Sequence, residues 1–476
     1  MGAEDPTIPI TAGGSAPGQP DPALSDPGWA WARYESNARR PWTLAQAGHL
    51  LRRAAFGAGW TELRRTLDEG PQRTIDRLLK PGAEAEPALR TLDADEAASG
   101  DSDSTEGIRA WWLRRMVCTP HPLLERMTFF WHGFFGISNV RVKGAARMRR
   151  HVQILRRHAL GSFEDLLQEL RVDPALLLGL DGAANRKARP SEFLPRMLLA
   201  QYTVGEGNFT ESDVCDTARA FTGWFVLRGE TRYIPREHDG GPKRILGREG
   251  DFGSEDALRI AARESATARR IARSLYGLFI SEIDDPPEAL LKPLAEAFAG
   301  DRDIGRLVET ILRSNLFFSE AAWHRRMKGP VDFALGLVKA LEAEVPSGEL
   351  GKDLAALGQE PYAPPTVQGW PAGADWIHWQ SFAARSNLAA ALLSTGDPYG
   401  GRLDPQAVAQ RHGKEDPAGA VGFLIDLLLQ GELDAQVRRS LLEDLPRQGE
   451  ATAGEAARRL RRITHRIAAL PEFHLA

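Results

Sequence analysis

The 476 residues predict an all-α, mostly helical fold: a large multi-helix domain with at most one small β-hairpin, near residues 222–236. Three observations carry this. Apolar residues recur at helical spacing through most of the chain, as at Leu44, Ala47, Leu51 and Ala55. Alternating runs of the kind half-buried strands need are scarce. Helix-start signals are clear, Thr210 with Asp213 three residues on being a variant capping box.

Taken in order, residues 1–40 are rich in Pro, Gly, Ala and Asp and lack a hydrophobic period, which predicts a disordered tail. From Pro41 the pattern becomes helical, and 41–343 reads as a main helical domain with a motif-rich centre. Its first helix runs through Leu44–Ala55 and stops at Gly57; Trp60–Leu67 and Thr74–Leu79 follow. Residues 83–106 are acidic and Ala-rich and read as a solvated loop. The spacing Asp101, Asp103, Thr105 is not a calcium loop, because Glu106 stands where the turn needs Gly and Trp112 where a bidentate Glu is needed. Helices are predicted at Ile108–Cys118, at Leu123–Phe135 (an aromatic core helix), and at Ala145–Ala159, Phe163–Leu170 and Pro174–Leu180. Another starts at Thr210, with Phe209 stapled onto Val214, and ends near Gly223. Trp224–Leu227 and Thr231–Ile234 read as a hairpin. Helices resume from Asp256 to Leu341. Five prolines make 344–372 an irregular connection, and 373–476 a C-terminal helical part packed on the main domain.

With 42% hydrophobic residues a sizeable core is available, and a net charge of −4 leaves no global field to attract nucleic acid. Cys118 and Cys215 are too few for a disulfide framework or a thiolate metal site, and both are expected free and buried. No signal peptide and no apolar run of about 18 residues are visible. The expectation is a cytoplasmic chain with no membrane span.

The motifs of common nucleotide, zinc-protease and hydrolase-elbow sites are absent from the sequence. Three segments carry chemistry instead. Between Arg126 and Phe163 there is no acid, and Arg149, Gln153 and Arg156 share one helix face, a pattern suited to phosphate, sulfate or carboxylate. A loop from Asp181 through Asn185, Arg186 and Lys187 precedes Glu192 and Arg196. A second loop holds His238, Asp239 and Lys243; His238 suits proton transfer or metal ligation, with Asp239 beside it. Each has a plainer reading as a solvated face, an intrahelical pair or a turn.

These stretches, in this order, resemble the bacterial family called domain of unknown function 1800. The likeness is carried by His49–Gly57, Trp111–Met116, Thr128–Gly133, Ala159–Phe163, Asp181 with Asn185–Lys187, Thr210–Val214, Ala218–Trp224, His238–Gly240, Gln368–Gly373 with Trp376-Ile377, and Pro471–Phe473, from about residue 43 onward. The resemblance implies a large helical domain, no agreed activity, relatives that often look exported, and a sulfatase-like partner encoded nearby. The chain departs from the family pattern where Phe193, Met197 and Ala200 replace an Asn and two Glu, and where Phe134 replaces a second His.

Two readings follow. One is a binding or scaffold protein, towards which the lost carboxylates lean. The other is an enzyme of unassigned class on an anionic small molecule or glycan: Asn185, Arg186, Lys187, Arg196, Arg219 and Lys243 would bind it, His238 would be the acid or base, and Asp239, Asp181 or Glu192 would orient it. Cofactor and metal are unassigned. Both readings require Asn185, Arg186, Glu192, Arg196, Asp213, Arg219, His238, Asp239 and Lys243 to converge.

Overall fold

The computed structural model describes residues 22–98, 104–443 and 452–476. Helices dominate it, and among the described residues the strands form two small antiparallel pairs. The main buried apolar core runs from Ala30 to Phe473, with a second, small cluster at Leu199, Val204, Val214 and Ala261.

Local chemistry accounts for the elements. Thr43 and Gln46 form a capping box on the helix Leu44–Ala55, whose last turn closes at Phe56 in the left-handed region (φ 59°), one residue before the expected stop at Gly57. Pro122 opens the aromatic helix Pro122–Phe135. Its Trp131 indole donates to the Ala159 carbonyl at 3.0 Å, so this helix is core, as its composition implies. Ser162, Asp173 and Thr210 cap the helices Phe163–Leu170, Pro174–Gly179 and Glu211–Ala220. Phe209 packs against the small apolar cluster of Leu199, Val204, Val214 and Ala261.

The predicted hairpin is present: β1 (Trp224–Leu227) pairs with β2 (Glu230–Tyr233). A second, unexpected one joins β3 (Lys243–Ile245) to β4 (Arg248–Gly250). Its turn has positive φ at both Leu246 (48°) and Gly247 (79°), the geometry of a type I′ hairpin turn. Leucine seldom takes that conformation, so the usual turn signal is missing.

Four further expectations need correction. Of the predicted loose tail, residues 1–21 lie outside the described residues, whereas 22–40 are folded. Trp31 donates to the Leu290 carbonyl at 2.9 Å, and buried Tyr34 donates its N–H to the Arg313 carbonyl at 2.7 Å. These aromatic residues supply apolar area that the average composition hid. In the acidic stretch 83–106, Glu86–Ala98 is helical, and residues 99–103 lie outside the described residues. The connection 344–372 contains a helix, Ser347–Ala356. Cys118 and Cys215 are free but exposed, each on the outer face of its helix.

The C-terminal part docks on the rest of the chain. Lys328 donates its backbone N–H to the His474 carbonyl, and Met327 bridges Leu475. Among the described residues no helix is long and apolar enough to cross a membrane.

Candidate functional site

The one-sided arginine pattern on the helix Ala145–His158 does not survive folding. Arg156 is buried, and its Nε donates to Glu125 Oε1 at 2.7 Å, the same oxygen that Arg115 Nε reaches at 2.7 Å. Arg150 meets Glu230 at 3.1 Å, Arg157 pairs with Glu169, and Arg141 meets Asp181 at 3.0 Å. The carboxylates come from other elements, which a local reading cannot see. Arg149, half-buried, is left without an ion pair among the described residues.

The residues expected to converge gather largely around the helix Glu211–Ala220. Buried Asn185 donates from Nδ2 to the Ala218 carbonyl (3.3 Å) and accepts the Ser191 N–H (2.9 Å). Arg219 holds Asp239 through two hydrogen bonds (2.7 and 3.2 Å) and Asp216 through a third (2.7 Å). Arg219 holds the Asp239 carboxyl down to about 2, and the two acids raise the pKa of Arg219. His238 donates from Nδ1 to the Thr222 carbonyl at 2.9 Å. Buried Lys243 donates to the Gly241 carbonyl at 2.9 Å, and burial lowers its pKa. Asp213 closes its capping box and accepts the Leu246 N–H at 2.7 Å. Arg196 pairs with Glu211 at 2.6 Å and lies 3.9 Å from Glu192. Arg186 approaches Glu237 at 3.6 Å, and Lys187 is exposed. Asp181 stands aside, its carboxylate engaged by Arg141. Arg219 and Asp239 thus satisfy each other, while Asn185, Asp213, His238 and Lys243 are held mainly by backbone groups, and together these bonds brace a loop cluster.

A different site, missed by the sequence reading, lies at the aromatic helix. A cleft of about 310 Å³ opens between that helix, the helix Ser265–Phe279 and the segment Gln368–Ala372. Its walls include Phe129, Phe130, Phe134 and Trp370, and its base includes Arg126 and Arg326. Phe129 and Trp370 stack with centroids 5.0 Å apart. The wall depends on backbone contact: a Cβ on Gly369 (φ 92°) would lie 2.2 Å from the Gly133 carbonyl oxygen, so only glycine fits. Glu282 anchors the same segment by accepting backbone N–H groups of Met327 and Gly373; burial raises its pKa.

Beneath the cleft, Asp332 bridges Arg126 (2.5 Å) and Arg326 (3.0 Å). Arg52, Arg53, Lys328 and Arg385 belong to the same coupled cluster, and all four are buried. Its acids are Asp332, Glu282 and Glu432. Even with Lys328 neutral, five guanidiniums face three carboxylates. Guanidinium nitrogens of Arg53, Arg126, Arg326 and Arg385 are buried without a hydrogen-bond partner. Burial, opposed at Arg126 by Asp332 and aided there by Arg326, lowers the pKa of Arg126 and Arg385 to about 10 in each case. An uncompensated buried cation costs several kcal/mol on the order of magnitude seen when one partner of a buried pair is removed.

Among the described residues no three His, Cys, Asp or Glu side chains are grouped to hold a metal ion. The chain belongs to the DUF1800 family, described as a protein of unknown function, whose family model matches residues 49–475. No curated protein and no solved structure matches it.

Proposed function

We propose that this chain is a binding protein that takes an anionic ligand, a small acid or an acidic sugar, into the aromatic cleft above Arg126 and Arg326. The observation that carries the reading is the excess of buried positive charge beneath a concave, aromatic-walled opening. Guanidinium groups suit carboxylate, sulfate and phosphate, and the flat rings suit the apolar face of a sugar or a planar acid. Binding rather than catalysis is favoured by the departures that the resemblance implies, Phe134, Met197 and Ala200 standing in place of a His and two Glu. A sulfatase-like partner, suggested by the resemblance, would fit a ligand of this class. The enzyme reading at His238 and Asp239 needs groups free to meet substrate, and there Arg219, Asp239 and Lys243 already hold partners.

Calorimetric titration of glucuronate, and separately of sulfate, into the full chain at low salt tests this. The expected result is saturable binding of at least one of them, weakened about tenfold or more in Arg326→Gln, as for loss of a charged hydrogen bond, and unchanged in Arg186→Ala. No binding of either, or equal affinity in Arg326→Gln, overturns it.

A further inference from the structure

A second cavity, of about 330 Å³, lies away from the aromatic cleft, walled by the end of the helix Leu44–Ala55, residues 57–65, 81–88 and 119–122, and Lys339. Its walls are mostly small and apolar, among them Leu51, Ala55, Ala85 and Pro122. Of the charged groups beside it, Arg77 lies 2.7 Å from Glu62 and Arg65 donates to Glu69 at 2.6 Å, while the exposed Glu84 has no ion pair among the described residues. Lys339 also lines the cavity, yet its amine has neither a hydrogen bond nor an ion pair among the described residues. An amine in that position is accessible to a guest but not occupied by the protein.

We propose that Lys339 captures an apolar aldehyde or ketone in this cavity as an imine. The nitrogen lone pair attacks the carbonyl carbon, and an amine proton moves to the oxygen. Water then leaves, and a C=N bond replaces C=O, with no oxidant or reductant required. The step needs a neutral amine. Burial, opposed by Glu62, brings the pKa of Lys339 down to about 8. Roughly one such amine in ten is then free at neutral pH, against about one in three thousand for an ordinary lysine.

Lys328 separates geometry from acidity. Its pKa is lower still, about 7, but its Nζ donates to the Phe473 carbonyl at 2.6 Å and the space beside it is only about 20 Å³. A low pKa alone would therefore direct a carbonyl compound to Lys328, whereas an open cavity directs it to Lys339.

The test is to incubate the full chain with substoichiometric hexanal and cyanoborohydride, which reduces an imine to a stable hexyl-lysine, and to locate the adduct by peptide mass spectrometry. Nine lysines are available. The expected result is that Lys339 carries most of the adduct and that Lys339→Arg loses it without raising labelling elsewhere. Labelling shared equally with exposed Lys292, Lys352 and Lys414, or concentrated on Lys328, overturns the proposal. The parent protein decides this even if the variant does not fold.

Discussion

An arginine sealed in a protein interior needs a counter-charge, and Asp332 provides one carboxylate for both Arg126 and Arg326. The neighbouring lysine registers the shortfall. Burial, reinforced by Arg52, lowers the pKa of Lys328 from 10.5 to about 7. The sign of the pH effect follows. Below pH 7 both folded and unfolded chains hold this proton, and the folded chain bears the full cost of the buried charge. Between about pH 7 and the ordinary lysine value only the unfolded chain holds it, so stability rises with pH by up to about 1.4 kcal/mol per unit. Lys339 acts in the same direction from about pH 8. The exposed thiols, whose pKa values are raised, oppose the trend only near pH 9 and above. The thermal midpoint of the parent should climb from pH 7 to 9, and Lys328→Met should flatten the climb. An identical slope in parent and variant would show that Lys328 is an ordinary lysine.

At the scale of elements, the helix Glu211–Ala220 and its loops form a brace. Arg219 ties the helix to the loop after β2 through Asp239 and the Pro242 carbonyl. Arg219→Ala would strand two carboxylates beside each other, and the expected loss is about 1–3 kcal/mol of stability, with glucuronate affinity unchanged. Lost binding at unchanged stability would instead make this loop cluster the ligand site. The brace was partly legible in the sequence because its members lie within about sixty residues and Thr210 announces its own helix. Most helices were legible for the same local reason: a period of 3.6 and a capping residue are both written in neighbouring positions. The β3–β4 hairpin was not, because its strands are three residues each and its turn uses Leu246. Nor was the pairing of Arg156, since Glu125 lies 31 residues away in sequence.

At the scale of the whole molecule, the aromatic cleft is assembled from segments that share no local signal. Arg126 and Phe134 share one helix, but Gln201, Glu282, Arg326 and Trp370 arrive from four separate parts of the chain. A buried arginine and an exposed one are the same letter in a sequence, so the charge imbalance emerges only after packing. The segment Gln368–Gly373, recognisable beforehand only as a family-like motif, acquires its meaning here as the wall that stacks Trp370 on Phe129. The central claim, that an anion belongs above Arg126 and Arg326, is tested most directly by locating one. Crystals soaked in selenate and measured at the selenium edge would give the position from anomalous scattering. The account predicts the strongest peak in the cleft beside Arg326, absent from Arg326→Gln crystals treated identically. A strongest peak at Arg186 and Lys187, or a cleft with none, would contradict it.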